Sequence, residues 1–119
     1  MIIQKRNSRH YNWGDQCEGW HLVETGSLSI IQEVMPVGRA ETLHFHRAAQ
    51  QFFYILTGNA TFEVEAETYV LSAGDGIHIL PKQKHRIINT GDIPLEFIVT
   101  SEPKSHGDRE NIPESESSK

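Results

Sequence analysis

His44 and His46 stand two residues apart around Phe45, and His85 follows far downstream. In an extended segment, side chains two apart leave the same face, so both imidazoles can converge on one ion. His85 opens a further run, His85–Asn89, that reads as another strand after the turn carrying Pro81. Three neutral imidazoles suit one divalent transition metal (iron, manganese, nickel, copper or zinc) and leave open positions for water or a substrate. An isolated His-x-His pair is more often the solvated face of a strand. The ligand reading therefore depends on the elements around it.

Those elements read as strands. Phe62 and Val64 alternate with Glu63 and Glu65, and Leu95, Phe97 and Val99 alternate with Glu96, Ile98 and Thr100. Leu28 with Ile30, and Ile77 with Ile79, keep the same rhythm. Turn residues separate these runs: Gly26-Ser27, Pro36-Val37-Gly38, Gly58-Asn59, Ala73-Gly74-Asp75-Gly76 and Gly91-Asp92. Short strands at near-regular spacing predict an antiparallel sandwich or barrel. No helical face is sustained, and Arg47 to Gln51 is the one stretch with room for a helical turn. Phe52 to Leu56 is apolar on both faces. It should fill the barrel on one side and meet a partner subunit on the other, or be covered by the N-terminal strands.

Two segments carry a more specific pattern. Gly38, five residues, His44-Phe45-His46, four residues, Gln51, six residues and Gly58 make the first. Gly74-Asp75, a strand, Pro81, then His85, three residues and Asn89 make the second. Together they resemble the two motifs of the cupin superfamily, in its small single-domain form, over about residues 27 to 101. The resemblance implies an all-β, conical jelly-roll barrel of antiparallel strands, often dimeric, with a metal in its mouth. It also implies that His44, His46 and His85 are the three histidine ligands and that Gln51 takes the fourth position, where the family usually has glutamate. The usual Pro-x-Gly turn of the second motif is replaced around Leu80-Pro81-Lys82, so a differently shaped turn is expected.

Glutamine in the carboxylate position changes the expected chemistry. An amide oxygen can coordinate but carries no charge, so a dication would keep nearly its full charge and favour anionic ligands. The same change removes a carboxylate that could act as general base, and no second acid–base residue stands out. The sequence points to a metalloenzyme of the dioxygenase, isomerase or lyase type, acting on a small oxygen-rich molecule. The alternative is a non-catalytic sugar or small-molecule sensor. No individual catalytic residue can be assigned.

The remaining features set bounds. A chain of 119 residues suits one domain. The formal net charge of −5 argues against nucleic acid. No apolar run is long enough to span a membrane, the start lacks a signal-peptide core, and Cys17 has no partner for an internal disulfide, so a cytoplasmic protein is expected, and the two-faced apolar run Phe52–Leu56 points to a homodimer. Residues 1–26 should form strands or an arm packed on the barrel of 27–101, and 102–119 should be a polar, mobile tail. Within it, Ser105-His106-Gly107-Asp108-Arg109 is a polar knot able to fold back over the mouth. Trp13, Trp20 and Arg86 are expected to be structural and His78 half-exposed, while His10, His21 and His106 have no assignable partners.

Overall fold

The computed structural model describes residues 1–104 and 107–113. After one 3-10 turn at Lys5–Asn7 come eleven strands: β1 Arg9–Trp13, β2 Cys17–Glu24, β3 Ser29–Met35, β4 His44–His46, β5 Gln50–Thr57, β6 Ala60–Val64, β7 Glu67–Leu71, β8 Gly76–Ile79, β9 His85–Asn89, β10 Leu95–Glu102 and β11 Arg109–Asn111. They pair antiparallel in two sheets, ordered β1-β2-β3-β10-β5-β8 and β11-β4-β9-β6-β7. This is the jelly-roll arrangement, all-β as expected.

Period-two alternation decides which side chains fill the space between the sheets. Phe53 and Ile55 of β5 point inward, as do Ala60, Phe62 and Val64 of β6 and Leu95, Phe97 and Val99 of β10. Phe53 is their hub, its ring 5.0 Å from that of Phe62 and 5.9 Å from that of Phe97. Each of the larger buried side chains, Ala60 aside, stabilises the fold by about 1.5–3 kcal/mol. Asn89 fixes the far end of β9: its amide donates to the carbonyls of Met35 and Ile93, and its oxygen accepts from Gly91 N. Gly58 turns β5 into β6 at φ +91°, with the Pro94 carbonyl 3.0 Å from where a Cβ would sit.

Several expectations need adjusting. Arg47 and Ala48 form a bend, and Gln50–Gln51 already belong to β5, so no helical turn lies there. The outer row of β5 (Phe52, Tyr54, Leu56) stays exposed, because β10 and β3 separate β5 from the N-terminal strands. Inside the segment expected as a mobile tail, β11 pairs with β4, Arg109 opposite His46 and Asn111 opposite His44. All three β11 residues are polar and exposed, so no alternation announced the strand. Ser105, His106 and residues 114–119 lie outside the described residues.

Candidate metal centre

β4 and β9 are neighbours, and their register sets His44 directly opposite His85. His44 and His46 share the inward face of β4, so three rings meet: 4.3 Å between His44 and His85, 5.1 Å between His44 and His46, 5.8 Å between His46 and His85. One nitrogen from each lies within 4.8 Å of the others, and all three residues are buried. The three histidines could hold a metal ion.

Backbone carbonyls orient two of the rings. Nδ1 of His44 lies 2.8 Å from the Thr42 carbonyl, and Nδ1 of His85 lies 2.9 Å from that of Gln83. A carbonyl only accepts, so each Nδ1 carries the proton and each Nε2 keeps its lone pair. His46 has no such support, its Nδ1 being buried without a partner among the described residues. Burial, followed by the proximity of His85, holds the His44 ring neutral, with its pKa pushed down to about 2. Burial likewise takes His85 down to about 4 and lowers His46.

Gln51 enters from β5. Its Nε2 donates to Ser101 Oγ at 3.0 Å, which directs its Oε1 toward His85 Nε2, 3.1 Å away. With Nδ1 of His85 already protonated and the ring neutral, these two atoms are acceptors facing one another. A shared cation satisfies both, and the donor set of three imidazoles and an amide oxygen therefore fits a divalent transition metal. The turn before β9 is tied to β4 by Lys82 N donating to the His46 carbonyl at 2.6 Å. Its left-handed residue is Lys82 itself, at φ +71°.

His44 and His46 open into a cavity of about 260 Å³ whose lining includes Gln51, Phe53, Ser101, Glu33, Glu41 and Arg109. The carboxyls are the part that sequence reasoning missed. Burial raises Glu33 to about 8, and it raises Glu41 to about 7 against the opposing pull of Arg109. Arg109 Nη1 stands 3.8 Å from Glu41 Oε2. Glu33 lies in the inward row Ser29-Ile31-Glu33-Met35 of β3. A charged residue in that row was the available signal, but Ile30 and Val34 on the other face made the inward side ambiguous.

The other histidines among the described residues stay out of the cavity. His78 is exposed, its Nε2 2.9 Å from Gln50 Oε1, and His10 and His21 sit beside Glu18 and Glu24 on the N-terminal hairpin. Arg86 pairs with Glu63 at 2.7 Å, Trp13 packs on the core, and Lys5 lies over the Trp20 ring. A larger open groove lined by Tyr69, Val70 and His78 contains none of the three central histidines.

The sequence matches the Cupin domain model over residues 31–101. An uncharacterised protein of Methanocaldococcus jannaschii is 36% identical over 83 residues, covering 69% of this chain and 66% of that protein. An oxalate-binding protein of Thermotoga maritima is 33% identical over 64 residues, 54% of this chain and 53% of that protein. The chain thus spans about half to two thirds of the length of these relatives. The crystal structure of a predicted oxalate decarboxylase from Thermotoga maritima superposes with a TM-score of 0.81 at 22% identity, covering 87% of this chain and 100% of that one.

Proposed function

The chain belongs to the cupin family, and from that premise we propose that it is a metalloenzyme holding one divalent transition metal through His44, His46, His85 and Gln51. Its substrate is a small oxygen-rich molecule, and the reaction is of the dioxygenase, isomerase or lyase type. The observation that carries this reading is the meeting of three buried, neutral imidazoles with an amide oxygen at a cavity that also holds acid–base groups. The cavity's volume suits a molecule of a few heavy atoms.

When bound, the metal supplies Lewis-acid polarisation of substrate oxygens. The protein's residues do the rest. The carbonyls of Thr42 and Gln83 orient two rings, Gln51 adds an oxygen without a charge, and Arg109 places a cation at the rim for an anionic group. Phe53 and Val99 form the apolar part of the wall and limit water. A non-catalytic small-molecule sensor is favoured by one feature, the neutral Gln51 where a carboxylate would provide a base.

Elemental analysis of protein prepared without chelators, per chain, tests the centre. Near-stoichiometric metal in the natural protein is expected, with binding weakened on the order of 100-fold or more in His44→Ala and His85→Ala while the β-rich fold persists. Full retention in both variants removes the proposed site. A sensor would show ligand-induced thermal stabilisation with no turnover on any metal.

The exposed row Phe52, Tyr54 and Leu56 supports a homodimer formed through β5, with Phe52 and Tyr54 stacked at 6.2 Å. Sedimentation of Tyr54→Lys should then show a monomer. Among the described residues no helix is long and apolar enough to cross a membrane. The buried free thiol of Cys17 supports a reducing, cytoplasmic setting.

A further inference from the structure

Three adjacent strands place one residue each in a row across the inward face of the larger sheet: Tyr11 of β1 opposite Gly19 of β2, and Gly19 opposite Glu33 of β3. A Cβ built on Gly19 would run into the ring and hydroxyl of Tyr11. The bare backbone of β2 therefore lets the Tyr11 ring lie across it, and the hydroxyl donates to Glu33 Oε2 at 2.5 Å. Tyrosine reaches past one strand to hold a carboxyl on the next, and that carboxyl faces the cavity lined by His44, His46 and Gln51.

Among the described residues Glu33 has no cation within ion-pair distance, since Arg109 is turned to Glu41. A half-buried carboxyl held by a neutral donor, with no side-chain counter-ion, gains and loses a proton more easily than it keeps a fixed charge. We propose that Glu33, positioned by Tyr11 through the gap at Gly19, is the proton donor–acceptor of this cavity and takes up one proton when a small oxyanion binds beside the three histidines. This rests on the metal-centre reading for the seat of the oxyanion, but not for the carboxyl's own proton.

The charges support the coupling. With Glu41 offset by Arg109 and Gln51 neutral, an ionised Glu33 is the negative side chain without an ion-pair partner among the described residues that an incoming anion would meet. A proton from solvent joins the Glu33 carboxylate, giving a carboxylic acid. Its O–H then donates to an oxygen of the bound anion, while Tyr11 still donates to the other carboxyl oxygen. No bond to carbon changes and nothing is oxidised or reduced. The titratable groups around Glu33 are Tyr11 from β1, Cys17 from the start of β2, Glu41 ahead of β4, His44 and His46 from β4, and Arg109 from β11. Burial raises the Cys17 thiol to about 11 and Tyr11 higher still, so neither competes near neutrality. β5 and β10 bring Gln51, Phe53, Val99 and Ser101, none of them charged.

The test is calorimetric titration of oxalate into zinc-loaded protein, at mildly alkaline pH, in two buffers of different ionisation enthalpy. Uptake close to one proton per oxalate is expected in the natural protein and none in Glu33→Gln, with zinc content unchanged. Tyr11→Phe should move the uptake window to higher pH, since it removes a hydrogen bond that favours the carboxylate. Absence of uptake in the natural protein, equal uptake in Glu33→Gln, or no oxalate binding by fully zinc-loaded protein overturns the proposal. Should zinc fail to load, the metal-centre reading falls instead. Infrared spectra of metal-free protein then decide whether Glu33 carries a proton at neutral pH. An un-ionised carboxyl band that Glu33→Gln removes sustains the proton-holding role, and its absence ends it. Should Glu33→Gln not fold, the Tyr11→Phe shift carries the same decision.

Discussion

The histidines of β4, with His85 of β9 behind them, and the carboxyls of Glu33 and Glu41 meet at one cavity, yet burial acts on the two walls with opposite sign. It pushes His44 and His85 down, to about 2 and about 4, and Glu33 and Glu41 up, to about 8 and about 7. In both cases burial disfavours the charged form. Near neutrality, one wall is a set of lone pairs able to take a cation. The other can give or accept protons. A metal-binding wall and a proton-handling wall thus follow from one property, a cavity withdrawn from water.

The largest expected effect comes from stability against pH in metal-free protein. Glu33 and Glu41 have native pKa values above the unfolded value of 4.5, so their contribution is full below that pH and is lost as pH rises toward about 8. His44 and His85 have native values below 6.5, so stability is lost as pH falls below that point. Each uncompensated group gives a slope of about 1.4 kcal/mol per pH unit within its window. Denaturant unfolding at a series of pH values should show losses on both sides. Glu33→Gln should flatten the alkaline loss by a few kcal/mol, on the order expected for a shift of several pKa units. The acid loss should persist in that variant. A variant that flattens both limbs, or neither, would mean that the two walls are not independent.

Next in size is the gap in β2. Gly19→Ala should displace the Tyr11 ring and cost about 1–3 kcal/mol, the range for overpacking. In a Tyr11→Ala background the same substitution should cost little, because the atoms it meets are gone. A double-mutant cycle with no coupling between positions 11 and 19 would show that the row across β1, β2 and β3 is not an energetic unit.

The two walls also differ in how far they could be read from sequence. The histidine wall is local: His44 and His46 are two apart, β9 begins at His85, and glycines mark the turns on either side, so the face they share follows from strand periodicity. The carboxyl wall joins positions 11, 19 and 33 through the register of three strands, and register is a property of pairing. Glu33 sits between apolar residues on both faces of β3, and Gly19 between Glu18 and Trp20 with no alternation to mark its face. β11 was hidden for a related reason. Its pairing uses backbone groups, and its exposed Arg109, Glu110 and Asn111 carry no hydrophobic rhythm.

The smallest effect expected comes from the strap that brings Arg109 to the cavity. Asp108, just ahead of β11, accepts hydrogen bonds from the backbone N–H groups of Arg47, Ala48 and Ala49, and these hold its carboxyl below the usual range. Arg47 also pairs with Glu110 across the same seam. The carboxylate lies near water, so its removal in Asp108→Ala should cost only about 1 kcal/mol of global stability. The local consequence should be larger. Hydrogen exchange at Ala48 and Ala49 should accelerate, because their protecting acceptor is lost, while Arg47, whose N–H also donates to the Asp108 backbone carbonyl, and the amides of β9, paired to β6 inside the sheet, change little. Unchanged exchange at Ala48 and Ala49 would show that the bend after His46 is held without the Asp108 carboxylate. Arg109 would then reach the histidine wall without help from Asp108.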